Sequence, residues 1–459
     1  MSAFWIVIVS VSVLALLVNT MLVITAFENR RYAKVHEQCR DENLKTRNQH
    51  VDLFIPCAGN EPGLYDRLTR FLGQSYGNYT VTFIIGSPDD TALPVIEAAI
   101  SECEVSARIK LVNPSQMLGK KVNKLREATK ELRHDTTILA FADSDVVPEP
   151  DWLTKLVASL EKHPICITGY RWIFPEKNKL PNLVVSSLNA VIAGYLGRHR
   201  TSLVWGGTWA IYRAAFEELK VRDAWQYAVS DDLIASKVIQ RANRSIYYDP
   251  SCLVRTNFDG SWASSFEFMR RQLLIFRKHF PGYWWGGFLT TALSQLTFWS
   301  LLGAGLAYSM QGNRNGPLML VMALGIYVMA IARAALRQAI AASRFPNYRH
   351  ECKAAYWFDI LGFPITGLIG MLVFVISSLV NRITWRGTHY TFSTSRYDMN
   401  RSPSYANNEA SILPINSFEP EVVPIVNTGQ TWLLDRLSRD PRSRVAVDIC
   451  NAPTRRTAA

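Results

Sequence analysis

Asp143-Ser144-Asp145 sets two carboxylates two positions apart, directly after the apolar run ILAFA and before VVPEPDWL. Hard divalent cations take oxygen ligands, so such a pair at the rim of a buried strand can share one Mg²⁺ or Mn²⁺ that neutralises a diphosphate. The same triplet also suits a solvated turn. Ser230-Asp231-Asp232 opens the helical pattern LIASKVI. Acids there cap a helix or face its dipole, or one of them acts as a general base towards a hydroxyl. Trp205-Gly206-Gly207-Thr208-Trp209 puts a glycine pair between two indoles, which fits a tight turn or a close backbone approach beside a sugar or a lipid headgroup. Arg270, Arg271, Gln272, Arg277, Lys278 and His279 interleave with Leu273, Leu274, Ile275 and Phe276, a pattern suited to lying in the headgroup plane with cations towards phosphates of lipid or ligand.

These groups need a scaffold. From Val51 to about Pro250, short β-rich runs alternate with helical stretches: VDLFIP, a helix over Leu64 to Leu72, YTVTFII, a helix near Leu93 to Ser101, ARIKLV, a helix near Asn123 to Leu132, and TTILAFAD. The alternation predicts an α/β domain with a mostly parallel, Rossmann-like sheet, helices on both faces, and a ligand site outside the carboxyl ends of the strands.

Either side of this domain the chain turns apolar. Phe4 to Phe27 holds no charge, with Trp5 at one end and Arg30, Arg31 and Lys34 past the other, which predicts a membrane anchor rather than a cleaved signal peptide. The positive flank places the residues that follow, and the α/β domain with them, in the cytosol. Three further spans are expected near Trp285 to Met310, Leu318 to Leu336 and Trp357 to Val380, with Pro364 and Gly367 marking a broken or re-entrant segment. The expected division is an anchor over 1–28, a basic linker over 29–50, the α/β domain over 51–280, a membrane bundle over 281–382 and a largely disordered tail over 383–459. Leu183 to Leu196 fits either an interfacial helix or a buried one. The net charge of +12 gathers beside the apolar segments, which favours anionic lipid over nucleic acid. Seven scattered cysteines without a CxxC pair predict free thiols.

In their order along the chain, these pieces resemble the family-2-like inverting glycosyltransferases of the GT-A fold, most closely the ceramide glucosyltransferase group. The resemblance runs from Val51 to His279 together with the anchor and the later spans. It is carried by Lys121-Val122-Asn123-Lys124-Leu125 as a KVNxL segment, Asp143 and Asp145 as DxD, the glycine-centred stretch, the acidic pair, and a departure at QxxRW, where residues 272 to 276 read QLLIF. It implies that Asp143 and Asp145 bind a divalent metal and the diphosphate of a UDP-sugar. Asp232 becomes the base. Lys121, Asn123, Gln272 and Arg271 become donor contacts, and Gly207, Trp209 and Asp231 lie near sugar and acceptor. Ser87 stands where the group often has an acid, which leaves Asp89 or Asp90 for the nucleotide base.

The expected activity is transfer of a sugar, glucose for preference, to a lipid hydroxyl with inversion to a β-glycolipid, by a multi-pass membrane protein with a cytosolic active site. A processive polysaccharide synthase and a catalytically silent membrane scaffold are the alternatives.

Overall fold

The computed structural model describes residues 3–38, 47–113, 119–163, 165–197, 202–226, 228–385, 388–392 and 397–399. Helix α1 (Ala3–Gln38) carries the expected anchor and continues unbroken into the expected linker. There follow β1 (His50–Pro56), α2 (Leu64–Leu72), β2 (Tyr79–Ile85), α3 (Leu93–Ser101), β3 (Ala107–Leu111), α4 (Lys120–Ala128) and β4 (Thr136–Ala142), in the expected alternation. Helix α4 starts at Lys120 rather than Asn123, which brings Lys121 onto its first turn. The α/β part is completed by β5 (Val146–Val147), α5 (Trp152–Lys162), β6 (Cys166–Thr168), β7 (Arg171–Pro175), α6 (Leu180–Ala193), β8 (Thr208–Tyr212), α7 (Arg213–Glu218), α8 (Val221–Ala224), α9 (Asp231–Arg241), β9 (Ile246–Tyr248) and β10 (Val254–Phe258).

The main sheet has the order β3-β2-β1-β4-β8-β6-β9, and β8 alone among its described strands runs against its neighbours. Side chains alternate across a strand, so both faces of this sheet need apolar residues. Val51, Leu53 and Ile55 of β1 pack on one face with Leu68, Phe71, Ile96 and Trp152 of α2, α3 and α5. Phe54 of β1, with Leu139 and Phe141 of β4, packs on the other with Val122, Leu125, Phe216 and Ile234. Each buried side chain of this size stabilises the fold by about 1.5–3 kcal/mol. A second sheet, β5-β10-β7, starts immediately after Asp145.

The rest is helical: α10 (Trp262–His279), α11 (Pro281–Met310), α12 (Asn315–Arg344), α13 (Tyr348–Glu351), α14 (Lys353–Leu361) and α15 (Phe363–Leu379). Among the described residues, α1 and α12 are long and apolar enough to cross a membrane, and the pair α14–α15, bent by 81° at Gly362, makes a third if counted as one broken span. The break falls just before Pro364, as the sequence suggests. The expected span Trp285 to Met310 forms as α11 but falls short of that apolarity. Thr290, Thr291, Ser294 and Gln295 give it a polar stripe, which lines the cavity described below.

The domain is tied to the bundle through Asp359 of α14, which accepts hydrogen bonds from Arg337 (2.8 and 2.5 Å) and Gln338 (2.7 Å) of α12 and from Ser187 (2.6 Å) of α6. An acid whose side chain is 1% exposed is held because these three neighbours donate to it. The segment expected to be tail begins with a small antiparallel sheet, β11 (Arg382–Trp385), β12 (Thr388–Phe392) and β13 (Tyr397–Met399). The runs ITW and THYTF are rich in the β-branched and aromatic residues that strands favour. Residues 400–459, and with them most of the expected tail, lie outside the described residues. Cys57, Cys103, Cys166, Cys252 and Cys352 are free thiols.

Candidate active site

The carboxyl ends of β1 and β4, the start of α4 and the start of α9 converge on one acidic centre. Lys121 Nζ lies 2.7 Å from Asp143 Oδ1, 3.1 Å from Asp231 Oδ1 and 3.4 Å from the carbonyl oxygen of Gly206. Ser230 caps α9 by accepting from Leu233 N–H at 3.3 Å and donates to Asp232 Oδ1, which itself accepts from Leu233 N–H at 2.8 Å. Asp232 therefore does cap the helix, with one oxygen. Its other oxygen, Oδ2, accepts from Gly206 N–H at 3.0 Å. The backbone beneath is pinned by Trp225 Nε1–H to the Asp231 carbonyl (2.9 Å) and by Ser236 Oγ–H to the Asp232 carbonyl (2.7 Å).

Gly206 has no room for a side chain. A Cβ there would lie 2.6 Å from Lys121 Nζ and 3.0 Å from Asp231 Oδ2, and one on Gly207 would meet the Trp205 ring at 2.1 Å. The glycine pair is what lets the backbone reach the acids.

The electrostatics are lopsided. The ammonium of Lys121 is destabilised by burial, but Asp143, Asp231 and Asp232 outweigh that and hold its pKa well above the ordinary lysine range. Burial pushes the Asp231 pKa up to about 7 against the pull of Lys121, with Asp232 and Asp143 adding to the rise. Asp145 is raised by burial and then by Asp143, and its Oδ1 is buried without a hydrogen-bond partner among the described residues. Asp231 Oδ2 is in the same condition. An orphaned carboxylate oxygen beside a like charge is what a hard cation relieves, so Asp145, with Asp143 two positions before it, fits one. Among the described residues no group of three or more His, Cys, Asp or Glu side chains forms a metal cage.

A folded-state pKa above the ordinary carboxyl value of about 3.9 means that the folded chain holds the proton more tightly than the unfolded one. In metal-free protein, the contribution of Asp231 to stability is fully present below about pH 4 and is lost as pH rises towards about 7. Asp231→Asn is expected to flatten this part of the melting-temperature profile and to melt higher than wild type at pH 8. A parallel pair of profiles would show that the carboxyl titrates normally.

One cavity of about 1180 Å³ joins this centre to the bundle. Its lining includes Lys121, Asp143, Asp145, Asp231 and Asp232, then Trp205, Arg171, Arg271 and Gln272, and then Leu22 of α1, Ile192 of α6, Gly286 and Thr290 of α11 and Gly370 of α15. Of Leu183 to Leu196, Val184 is buried, and Val185, Leu188 and Ile192 line the cavity.

Other expected site residues lie elsewhere. The Trp209 indole is fully buried and stacks on Phe141 at 4.3 Å, because β8 turns it into the core; Trp205, outside the strand, lines the cavity instead. Asn123 is buried on a different face of α4 from Lys121 and donates to the Asn113 carbonyl at 2.8 Å. Asp90 accepts from the Gly59 and Ala92 N–H groups at 2.7 and 3.1 Å, joining the loops after β1 and β2, and Asp89 is exposed. Neither lines the cavity, whereas Glu61, Lys120 and Lys124 do. Lys124 was legible only as part of the KVNxL segment; it donates to the Cys57 carbonyl at the end of β1.

A family model described as glycosyl transferase family 21 matches residues 7–397. No curated protein matches the chain. Among solved structures, a mannosyltransferase from Pyrobaculum calidifontis in complex with GDP-Man and Mn²⁺ is 14% identical, with 79% of this chain and 99% of that one covered, at a TM-score of 0.40. TarS 1-349 of S. aureus is 14% identical over 77% of this chain and 100% of that one, with a TM-score of 0.31. Glucosyl-3-phosphoglycerate synthase from Mycobacterium tuberculosis, in complex with phosphoglyceric acid, is 16% identical over 50% and 80%, with a TM-score of 0.32.

Proposed function

The chain belongs to glycosyl transferase family 21, and on that premise we propose that it moves glucose from UDP-glucose to the hydroxyl of a membrane lipid such as ceramide, with inversion to a β-glycolipid. The observation that carries this reading is the single cavity shared by the acidic centre and the apolar helices. A water-soluble acceptor has no need of a site whose walls continue into α1, α11 and α15, whereas a lipid can keep its chains there while its hydroxyl reaches Asp232. The positive flank of α1 supports a cytosolic catalytic domain on a multi-pass protein.

In this proposal the donor diphosphate lies at the rim formed by β1 and β4, with Lys121, Lys124, Gln272 and Arg271 towards it. A divalent cation held by Asp143 and Asp145 would supply neutralisation of the leaving diphosphate. Asp232, half-buried and with Oδ2 turned towards Gly206, takes the proton of the lipid hydroxyl as its oxygen attacks the anomeric carbon and the bond from that carbon to the diphosphate breaks. Asp231, enclosed and ion-paired, holds Lys121 in place.

The test is to incubate purified full-length protein with labelled UDP-glucose, UDP-galactose and UDP-N-acetylglucosamine against ceramide, diacylglycerol and hopanoid acceptors. Gly286→Leu sharpens it: Gly286 lines the cavity and a Cβ there meets nothing within 4 Å, so the added side chain is expected to take up cavity space. It is expected to raise the lipid KM about tenfold, equivalent to 1.4 kcal/mol, with donor KM unchanged. An unchanged lipid KM would remove the bundle from the acceptor site.

A further inference from the structure

The QxxRW position that would carry arginine holds Ile275, 8% exposed and packed with Val229, Leu274 and Ile383. Its basic neighbours on α10 are engaged. Arg270 forks onto Glu267 at 2.8 and 2.7 Å and donates to the Arg382 carbonyl at 2.9 Å. Arg277 donates to the carbonyls of Ser378 and Val380 and to Asn381 Oδ1, closing the C-terminal end of α15. Arg271 lies 5.7 Å from the Phe268 ring and lines the cavity.

A different arginine is free to serve. Arg171 begins β7, in the small sheet that starts just after Asp145, and lines the cavity. Its guanidinium lies 5.4 Å from the Trp205 ring centroid and 5.0 Å from that of Phe268. No hydrogen bond or ion pair to a described residue engages it, and Nε is buried without a partner. Contacts with two aromatic rings restrict the fork without using its N–H donors, an arrangement that suits bidentate binding of an anion.

We propose that Arg171 grips the phosphate oxygens of the donor's diphosphate, reaching the site from β7 instead of α10. The assignment rests on the nucleotide-sugar reading above. Only arginine meets both requirements, because lysine brings the charge without the planar fork.

The experiment is calorimetric titration of full-length protein, with Mn²⁺ present, using UDP, UMP and GDP on wild type, Arg171→Lys and Arg171→Gln. Arg171→Gln is expected to weaken UDP about 10- to 100-fold, the range of a lost charged hydrogen-bond pair, to weaken UMP far less, and to melt close to wild type. Arg171→Lys should fall between, and it keeps the test valid if the glutamine variant misfolds. Equal losses for UDP and UMP, or unchanged UDP binding with a raised lipid KM, would place Arg171 away from the diphosphate and overturn the assignment. If wild type binds neither UDP nor GDP, the donor reading fails first and takes this assignment with it.

Discussion

Asp232→Asn is expected to lower the transfer rate by about 10²–10⁴-fold, the usual contribution of a positioned general base, while UDP binding stays largely intact. The geometry explains the split. Oδ1 is committed to Ser230 and Leu233, and an asparagine oxygen can keep that capping role, so α9 should still form. What disappears is a basic Oδ2, the oxygen held 3.0 Å from Gly206 N–H. Single-turnover transfer from radiolabelled donor, read beside nucleotide titration, separates the two quantities. Transfer at the wild-type rate would move the base elsewhere, and Asp231 is the neighbouring acid.

The second large effect concerns the metal pair. Asp143→Asn combined with Asp145→Asn should reduce kcat/KM by about 10³-fold, from the loss of several kcal/mol of charge stabilisation at the leaving group, and should abolish any rise in melting temperature on adding Mn²⁺ with UDP. Without metal, the Asp145→Asn single variant should melt higher than wild type, because it removes a charge that burial and Asp143 both disfavour. Lost activity with gained stability is the signature of a site kept strained for function. A variant that loses both would mark Asp145 as a structural residue. Differential scanning fluorimetry with and without Mn²⁺ and UDP reads this directly.

The strands and helices from β1 to β4 were legible because apolar period is a local property. Val51, Leu53 and Ile55 alternate with residues of the opposite face, and the run TTILAFA ends at Asp143, where a parallel sheet turns towards its ligand rim. The anchor was legible for the same reason, since a run without charge reports its environment residue by residue. Local reading failed where a side chain's role depends on the surface it meets. Trp205 and Trp209 flank the same glycines, yet Trp209 lies inside β8 and is turned onto Phe141, while Trp205 lies before the strand and lines the cavity. Lys121 and Asn123 sit two positions apart on α4, about 200° around the helix, and only the lysine faces the acids. Helix α11 was expected to span because its long apolar run was read without weighing its Thr–Ser–Gln stripe, which leaves it short of the apolarity of α1 and α12. Arg171 carried a weak signal, a single charge inside the apolar strand RWIF, and it went unused.

From composition, period and motif order alone came the α/β class, the membrane attachment and the set of acids worth watching. Tertiary structure decided which of those acids share a cation, which arginine is left with unused donors, and that the acidic centre opens into the bundle. The division has a physical cause. Burial preference is set by each side chain and its immediate neighbours, whereas electrostatic coupling and cavity shape depend on distances between atoms far apart in the chain, and these exist only once the layers have packed.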